Sequence, residues 1–512
     1  MLAAGFRRGA LAQRLPRYAA GLVEGAGTAA AARISRRGFV QLGAAAVLGG
    51  ALAGSPLLTG RARAAGATLA EPEMLRSSNG LLDVTLRAEP ATVSIGGQAC
   101  HVLTYNGSIP GPTLVAHPGD LIRIRLVNGL DAQTNLHTHG LHVSGEGNAD
   151  NVMIHVHPGE EFIYELELPA DHVPGTNWYH PHVHGNGAAQ IFAGMAGMLI
   201  IRHRGELAGG LARMRERTMV LHATQFSDAG DVLPPLATDQ RMHVRLLNGQ
   251  LNPTIDIAPG EMQRWRMVNT AVNTVLKLRL DGHALTRIAA DGNPYRQAVA
   301  LKTLELAPGQ RADVLVRGGA PGTAVLRTLP FDLGFGVITP EIEIATLACS
   351  GPAVAAGEPN VAPLLQPWED LRRLPVDARR EIAMTTAGGF GIDGRRFDPT
   401  FVHHFSELGA VEEWTIRNPT GLPHPFHIHV NPFQVTHVDG QPVDAPSYED
   451  TVLVRQNGGS VTFRTRFDDF VGTVVFHCHF VTHSDLGMMA LARVERTPAQ
   501  APAADTSTLC RL

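Results

Sequence analysis

Four motifs with two histidines flanking a single residue stand out: His137 and His139 in HTHG, His180 and His182 in HPHVHG, His427 and His429 in HPFHIH, and His477 and His479 in HCHFVTH, while His155 and His157, at the same spacing, read as ordinary surface or core residues. Successive side chains of a β-strand point to opposite faces, so each pair presents two imidazoles on one face, roughly 6–7 Å apart along the strand. Core packing gains nothing from eight such rings, whereas imidazole is a ligand for copper, zinc or iron. The last motif carries more. Cys478 lies between His477 and His479 and points to the other face, and His483 and Met488 follow it by five and ten residues. A thiolate, two histidines and a weak methionine form a blue-copper set. His424 precedes His427 by three residues, so in an extended segment it faces away from His427 and His429. His424, Cys478, His483 and Met488 can then share one metal, while the same-facing pairs converge on a second site of several metals.

The elements that must position these residues are strands. VGTVVF, residues 471–476, reads as a buried strand running into His477. HPGDLIRIRLVN (117–128), APGEMQRWRMVN (258–269) and, more loosely, LGAVEEWTIRNP (408–419) repeat one pattern, in which Gly119, Gly260 and Gly409 each precede an asparagine, Asn128, Asn269 or Asn418, by nine residues. A second motif recurs at Gly159, Gly309 and Gly459. A turn glycine followed by alternating apolar positions is a turn entering a half-buried strand. The period is that of a domain rather than of a solenoid repeat. The expectation is an all-β chain of three Greek-key β-sandwich domains, at 65–203, 204–360 and 361–512, with 349–367 a linker. The middle domain holds only the isolated His222, His243 and His283, so the ligands belong to the outer two.

Residues 1–64 stand apart. Arg36 and Arg37 precede an Ala- and Gly-rich apolar run, and ARAAG offers a small-residue cleavage pattern, the arrangement of a twin-arginine export signal. Periplasmic or extracellular location follows, with the twin-arginine translocase as a partner during export. That segment carries nine arginines and one glutamate, and the remaining residues carry 34 basic and 46 acidic side chains, a formal net of −12. Such a balance argues against nucleic acid and against an anionic membrane surface. Four cysteines are too few for a disulfide scaffold. With Cys478 committed to a metal, one pair among Cys100, Cys349 and Cys510 can close, Cys100–Cys510 being preferred.

Taken together, the four H-x-H pairs, HPFHIH and HCHFVTHSDLGM resemble the motifs of the three-domain multicopper oxidases over nearly the whole chain after residue 64. The resemblance implies cupredoxin-like sandwiches, four copper ions, dioxygen as electron acceptor and a monomer. It implies a type 1 copper on His424, Cys478, His483 and Met488, a type 2 copper on His137 and His427, and a type 3 pair on His139, His180, His182, His429, His477 and His479. His184 lies beyond the family pair and is left out. The family places a proton-supplying carboxylate shortly after the first H-x-H segment, where Asp150 stands. Where several bacterial members have Glu after the last type 1 histidine this chain has Ser484, with Asp485 as a substitute.

The implied reaction couples one-electron oxidation of a small reductant at the type 1 copper to reduction of dioxygen to water at the other three. Thr420, Gly421, Leu422 and Pro423, before His424, include no carboxylate or thioether, and residues 301–363 contain no methionine. A dedicated cuprous site would use both groups, so phenols or aromatic amines are expected, reaching His483 through an open mouth. Oxidation of cuprous or another metal ion is the alternative, and a non-enzymatic relative of the fold is the third reading. A two-domain nitrite reductase lacks the third repeat, and four H-x-H pairs beside a Cys–Met set exceed what zinc requires.

Overall fold

The recurring asparagines explain how the chain folds back on itself. In a computed structural model that describes residues 66–202, 214–354, 365 and 368–496, Asn128, Asn269 and Asn418 each end a strand and are fully buried. Each accepts the backbone N–H two residues ahead, from Leu130, Ala271 and Thr420. Each amide donates to two carbonyls, one four or five residues ahead and one on a distant segment: Ala132 and Val156, Thr274 and Leu306, Leu422 and Val454. One side chain thus satisfies three buried backbone groups at a strand end, which unpaired would each cost about 1–3 kcal/mol. The second motif closes the same corner: Gly159, Gly309 and Gly458 donate to the carbonyls of Asn128, Asn269 and Asn418. In the third repeat the turn glycine is therefore Gly458, at φ +94°, rather than Gly459, which already lies on a strand.

Three β-sandwiches result, with strands spanning 74–201, 215–349 and 378–495. In the first, a four-stranded sheet centred on Leu81–Ile95 and Leu121–Asn128 faces a five-stranded sheet that carries His137–His139 beside Gly175–His180. The third has a six-stranded sheet around Val411–Asn418 and a five-stranded sheet in which Gly472–Cys478 lies between His424–Ile428 and Met489–Glu495. The middle sandwich repeats the plan around Met262–Asn269 and Arg311–Arg317. Parallel and antiparallel pairings mix in each, as Greek-key crossovers require. Each encloses its own apolar core, with Tyr164, Trp265 or Trp414 fully buried.

Buried ions bind the first sandwich to the middle one. Asp313, 1% exposed, accepts from Arg264, from Arg266 and from the Thr176 hydroxyl of the first sandwich. Burial alone would raise this carboxyl, and the two guanidiniums reverse that and hold it below its ordinary range. Residues 1–64, expected to be an export signal, and Cys510 lie outside the described residues. Among those described, Cys100, Cys349 and Cys478 are buried free thiols, and no helix is long and apolar enough to cross a membrane.

Replacing Asp313 by Ala leaves Arg264 and Arg266 with Glu216 as their remaining carboxylate among the described residues and the Thr176 hydroxyl without its acceptor, and the expected loss is about 1.5–3 kcal/mol. Calorimetry should show a lower unfolding temperature; an unchanged one would contradict the assigned role of this ion cluster.

Candidate metal centres

Strand alternation at Gly472–Cys478 separates two sites. His427 pairs with His477, and Phe426 with Cys478, across the ladder. On one face, Cys478 Sγ lies 3.5 Å from His424 Nδ1 and 3.7 Å from His483 Nδ1, and those two nitrogens are 3.1 Å apart. The one-turn helix Val481–Asp485 brings His483 back to the cysteine. The carbonyl of Met488 accepts the Cys478 N–H at 3.0 Å, which places this buried methionine beside it. His424 is oriented by the repeat motif. Its Nε2 donates to the Thr420 hydroxyl at 2.9 Å, and that hydroxyl donates to Asn418 Oδ1. Nδ1 is left as a bare lone pair facing the thiol. Burial raises the Cys478 thiol and lowers both histidines, so the thiolate that metals require needs a cation at this spot.

On the other face, the eight imidazoles of the four H-x-H pairs meet between the first and third sandwiches. His137 stacks on His429 with centroids 4.0 Å apart, and His139 on His427 at 3.8 Å. His477 Nε2 lies 3.0 Å from His182 Nε2 and 3.2 Å from His429 Nε2. One ring nitrogen is held by the protein in most cases. Nδ1 of His137 donates to Asp150, of His180 to the Pro181 carbonyl, of His427 to the Asp450 carbonyl and of His477 to the Cys478 carbonyl. The opposite nitrogens, Nε2 of His137, His180 and His427, are buried without a partner. His139 is reversed: Nε2 donates to Asp450 Oδ1 at 3.0 Å and Nδ1 is the unpartnered atom. Neither nitrogen of His479 has a partner. Burial, reinforced by neighbouring rings, pushes His137, His139, His180, His429, His477 and His479 well below the usual range and His182 to about 4. Neutral rings with orphaned lone pairs facing one another are what copper coordination requires, and sets such as His137–His427–His429, His137–His139–His180 and His182–His429–His477 bring donor atoms within 4.8 Å.

The carboxylates divide. Asp150 accepts from His137 Nδ1 at 2.8 Å and from the amide and hydroxyl of Thr138, and it lines a cavity of about 180 Å³ that also reaches His429. Burial pushes it up to about 6 against those hydrogen bonds. Asp485 instead accepts the amides of Gly185 and Ala188, which fastens its helix to the first sandwich; burial raises it to about 6. His184 packs on Phe397, away from the cluster. The mouth at His483 is narrower than the sequence suggests, because Phe390 stacks on the imidazole face, with centroids 4.1 Å and planes 14° apart.

Sequence reading missed Asp450, Arg311 and Gly309. Asp450 touches His139 with its carboxylate and His427 with its carbonyl. Burial would raise it, but the fork of Arg311, at 2.7 and 2.6 Å, holds it below the usual carboxylate range. At Gly309 a β-carbon would stand 2.9 Å from the His479 ring and 3.1 Å from that of His139. The middle sandwich therefore closes over the cluster while giving it no histidine. Gly309 was visible as a repeat glycine, but nothing in the sequence joins Arg311 to Asp450.

Three multicopper oxidase family models match residues 87–206, 175–323 and 373–498. The chain belongs to the multicopper oxidase family. It is 27% identical over 438 residues to the multicopper oxidase mco of Staphylococcus haemolyticus, covering 82% of this chain and 90% of the relative. It is 24% identical to the cell division protein FtsP of Dickeya dadantii, over 89% of this chain and 98% of that one. Two solved structures, each 25% identical, share the fold. A multicopper oxidase of Campylobacter jejuni described as a metallo-oxidase has a TM-score of 0.72, over 84% of this chain and 96% of its own. A laccase-like CueO of Ochrobactrum sp., described as active towards lignin model compounds, has 0.73 over 83% and 100%.

Asp450→Asn loses the anion that orients His139, and copper affinity at the imidazole cluster should fall about 10–100-fold. Copper titration against a competing chelator measures this; unchanged affinity would make Asp450 a purely structural partner of Arg311.

Proposed function

We propose that this multicopper oxidase is laccase-like: it takes single electrons from phenols or aromatic amines and passes them to dioxygen, using four copper ions. The observation that carries the reading is the two-faced strand, with Cys478 among His424 and His483 on one side and His477 among His182 and His429 on the other. The type 1 ion is assigned to His424, Cys478, His483 and Met488, the type 2 ion to His137 and His427, and the type 3 pair to His139, His180, His182, His429, His477 and His479. Bound copper supplies the one-electron oxidation of the reductant and the four-electron reduction of dioxygen to water. Cys478 is covalently joined to His477 and His479, so one strand links the two sites. Met488, if it joins the ligand set, would favour a lower potential than a non-coordinating residue at its place.

The protein's own groups handle orientation and protons. Nδ1–H donors to carbonyls and carboxylates fix each ring and its tautomer. Asp150, raised to about 6, exchanges a proton just below neutral pH beside His137 and opens to a cavity, the arrangement of a proton relay. Asp485 is a second candidate, although its hydrogen bonds serve the join between sandwiches. Residues 65–203, 204–360 and 361–512 are assigned as the three domains. Arg36 and Arg37 support twin-arginine export to the periplasm or exterior, and the acidic balance argues against nucleic acid as a partner; a monomer is assigned.

A metal-ion oxidase is the second reading, favoured by the Campylobacter jejuni protein and by Met488. The absence of carboxylate and thioether from 420–423 favours organic reductants instead. The relative named as a cell division protein raises a non-enzymatic role, against which stand the complete ligand sets. Steady-state kinetics of copper-loaded protein on phenols, aromatic amines and cuprous, ferrous and manganous ions decides. Saturable cuprous oxidation with negligible phenol turnover would overturn the proposal.

Cys478→Ser should abolish the intense visible band and the oxidase activity while the imidazole cluster keeps its copper; loss of all copper together would contradict the two-face assignment. Asp150→Asn should slow turnover by at least about tenfold without copper loss. Wild-type turnover across the pH range in that variant would return Asp150 to a turn-capping role.

A further inference from the structure

Among the twelve assigned ligands, His483 is the one that is only partly buried. Its ring is hemmed in on several sides. Phe390 stacks on one face, Phe480 meets it edge-on at 5.3 Å, and His424 lies 5.0 Å away. A reductant therefore meets an imidazole edge, and binding there needs a contact supplied from elsewhere.

A hairpin of the middle segment supplies one. Phe331–Asp332 pairs with Ile338–Thr339, and Phe331, Leu333 and Val337 pack into the core of the third sandwich, the core that also contains Cys478 and Met488. The tip runs Gly334, Phe335, Gly336, with φ of +89°, +50° and +77°. Glycine adopts such angles freely, whereas a bulky aromatic does so only under strain. Phe335 is also 80% exposed, the most exposed large apolar side chain among the described residues. An aromatic that is both strained and in water is explained by neither packing nor the turn, and strained residues cluster at ligand clamps. Its ring is not free-floating: a β-carbon on Gly421 would lie 2.6 Å from it, and one on Gly334 would strike the Gly421 carbonyl. Gly421 precedes His424 by three residues. The hairpin thus stands an aryl face in solvent beside the loop that delivers a ligand of the Cys478 centre.

We propose that Phe335 is the specificity-determining contact for aromatic reductants, its exposed ring seating a flat phenol or arylamine beside the His424–His483 centre. This rests on the laccase-like reading above and deepens it by naming the residue that selects the ring. Aromatic rings pair offset or edge-to-face and exclude water from each other's faces. The chemistry served is balanced: four phenols each give up one electron and one proton to become phenoxyl radicals, and one dioxygen takes up four of each to become two waters. Phe335 touches the phenol in this scheme and takes part in no bond change.

The test is Phe335→Gly in the copper-loaded enzyme. This variant removes the ring and relaxes the backbone, so it should fold at least as well as the parent. KM for 2,6-dimethoxyphenol should rise about tenfold with kcat unchanged, the mark of lost uniform binding. KM for hexacyanoferrate(II), which has no aryl ring, and the visible spectrum should not move, and Phe335→Tyr should restore the phenol KM. A second readout uses benzyl alcohol, an aromatic without a phenolic hydroxyl: its proton lines should broaden in the presence of the oxidised wild-type enzyme and of Phe335→Tyr, but not of Phe335→Gly. If wild-type enzyme oxidises the phenol and Phe335→Gly holds its KM within about twofold, the docking role falls and the laccase-like reading stands. If wild-type enzyme oxidises no phenol, both fall.

Discussion

A buried imidazole nitrogen without a partner is costly, and this protein buries at least six of them, on five rings that each offer one lone pair when neutral, within two strand pairs and their neighbours. Each lone pair would be stabilised by water, by a proton or by a metal. Burial excludes the first and, by lowering the basicity of the rings, the second. The centre is therefore shaped for cations, and much of the surrounding structure reads as the means of keeping those lone pairs in place. Carbonyls of Pro181, Asp450 and Cys478 and the carboxylates of Asp150 and Asp450 each take the opposite N–H, which fixes the tautomer and the ring angle together.

Holding eight rings between two sandwiches requires a rigid joint, and the middle sandwich provides it. Arg311 clamps Asp450 of the third sandwich while its Nε donates to the Thr176 carbonyl of the first. Asp313, two residues on, ties Thr176 to Arg264 and Arg266. Three segments thus converge on a few buried charges, each compensated by geometry rather than by solvent. Gly309 lets the backbone approach the His139 and His479 rings where any side chain would collide. The middle sandwich contributes no histidine to the cluster but has a structural duty there.

The repeat motif shows how one local device is reused. Asn128, Asn269 and Asn418 terminate equivalent strands with the same three hydrogen bonds. In the third sandwich the device acquires a further use, because Thr420 extends it to His424 Nε2. A fold-level constraint and a ligand-orienting contact are then the same network, so changes at Asn418 act on both.

Strand alternation is local, and for that reason the sequence by itself determined the split at Cys478, the face of each H-x-H pair and the three-fold repetition of the sandwich. Residue types such as a thiol between imidazoles also named the metal chemistry, since ligand softness does not depend on fold. The tertiary structure alone decided which lone pairs are bare, because a ring's free nitrogen is set by the distant carbonyl or carboxylate that takes its other proton. It also decided the part played by Asp450 and Arg311, 139 residues apart, and the shift of the third turn from Gly459 to Gly458. Asp150 was legible through the family resemblance, which places a carboxylate shortly after the first H-x-H segment. Asp485 was legible as a titratable group but not as a tie to Gly185 and Ala188. The covering of His483 by Phe390 and the placing of Phe335 against Gly421 were invisible for the same physical reason. Each depends on where separate strands end in space, and a linear pattern records only what lies on one strand.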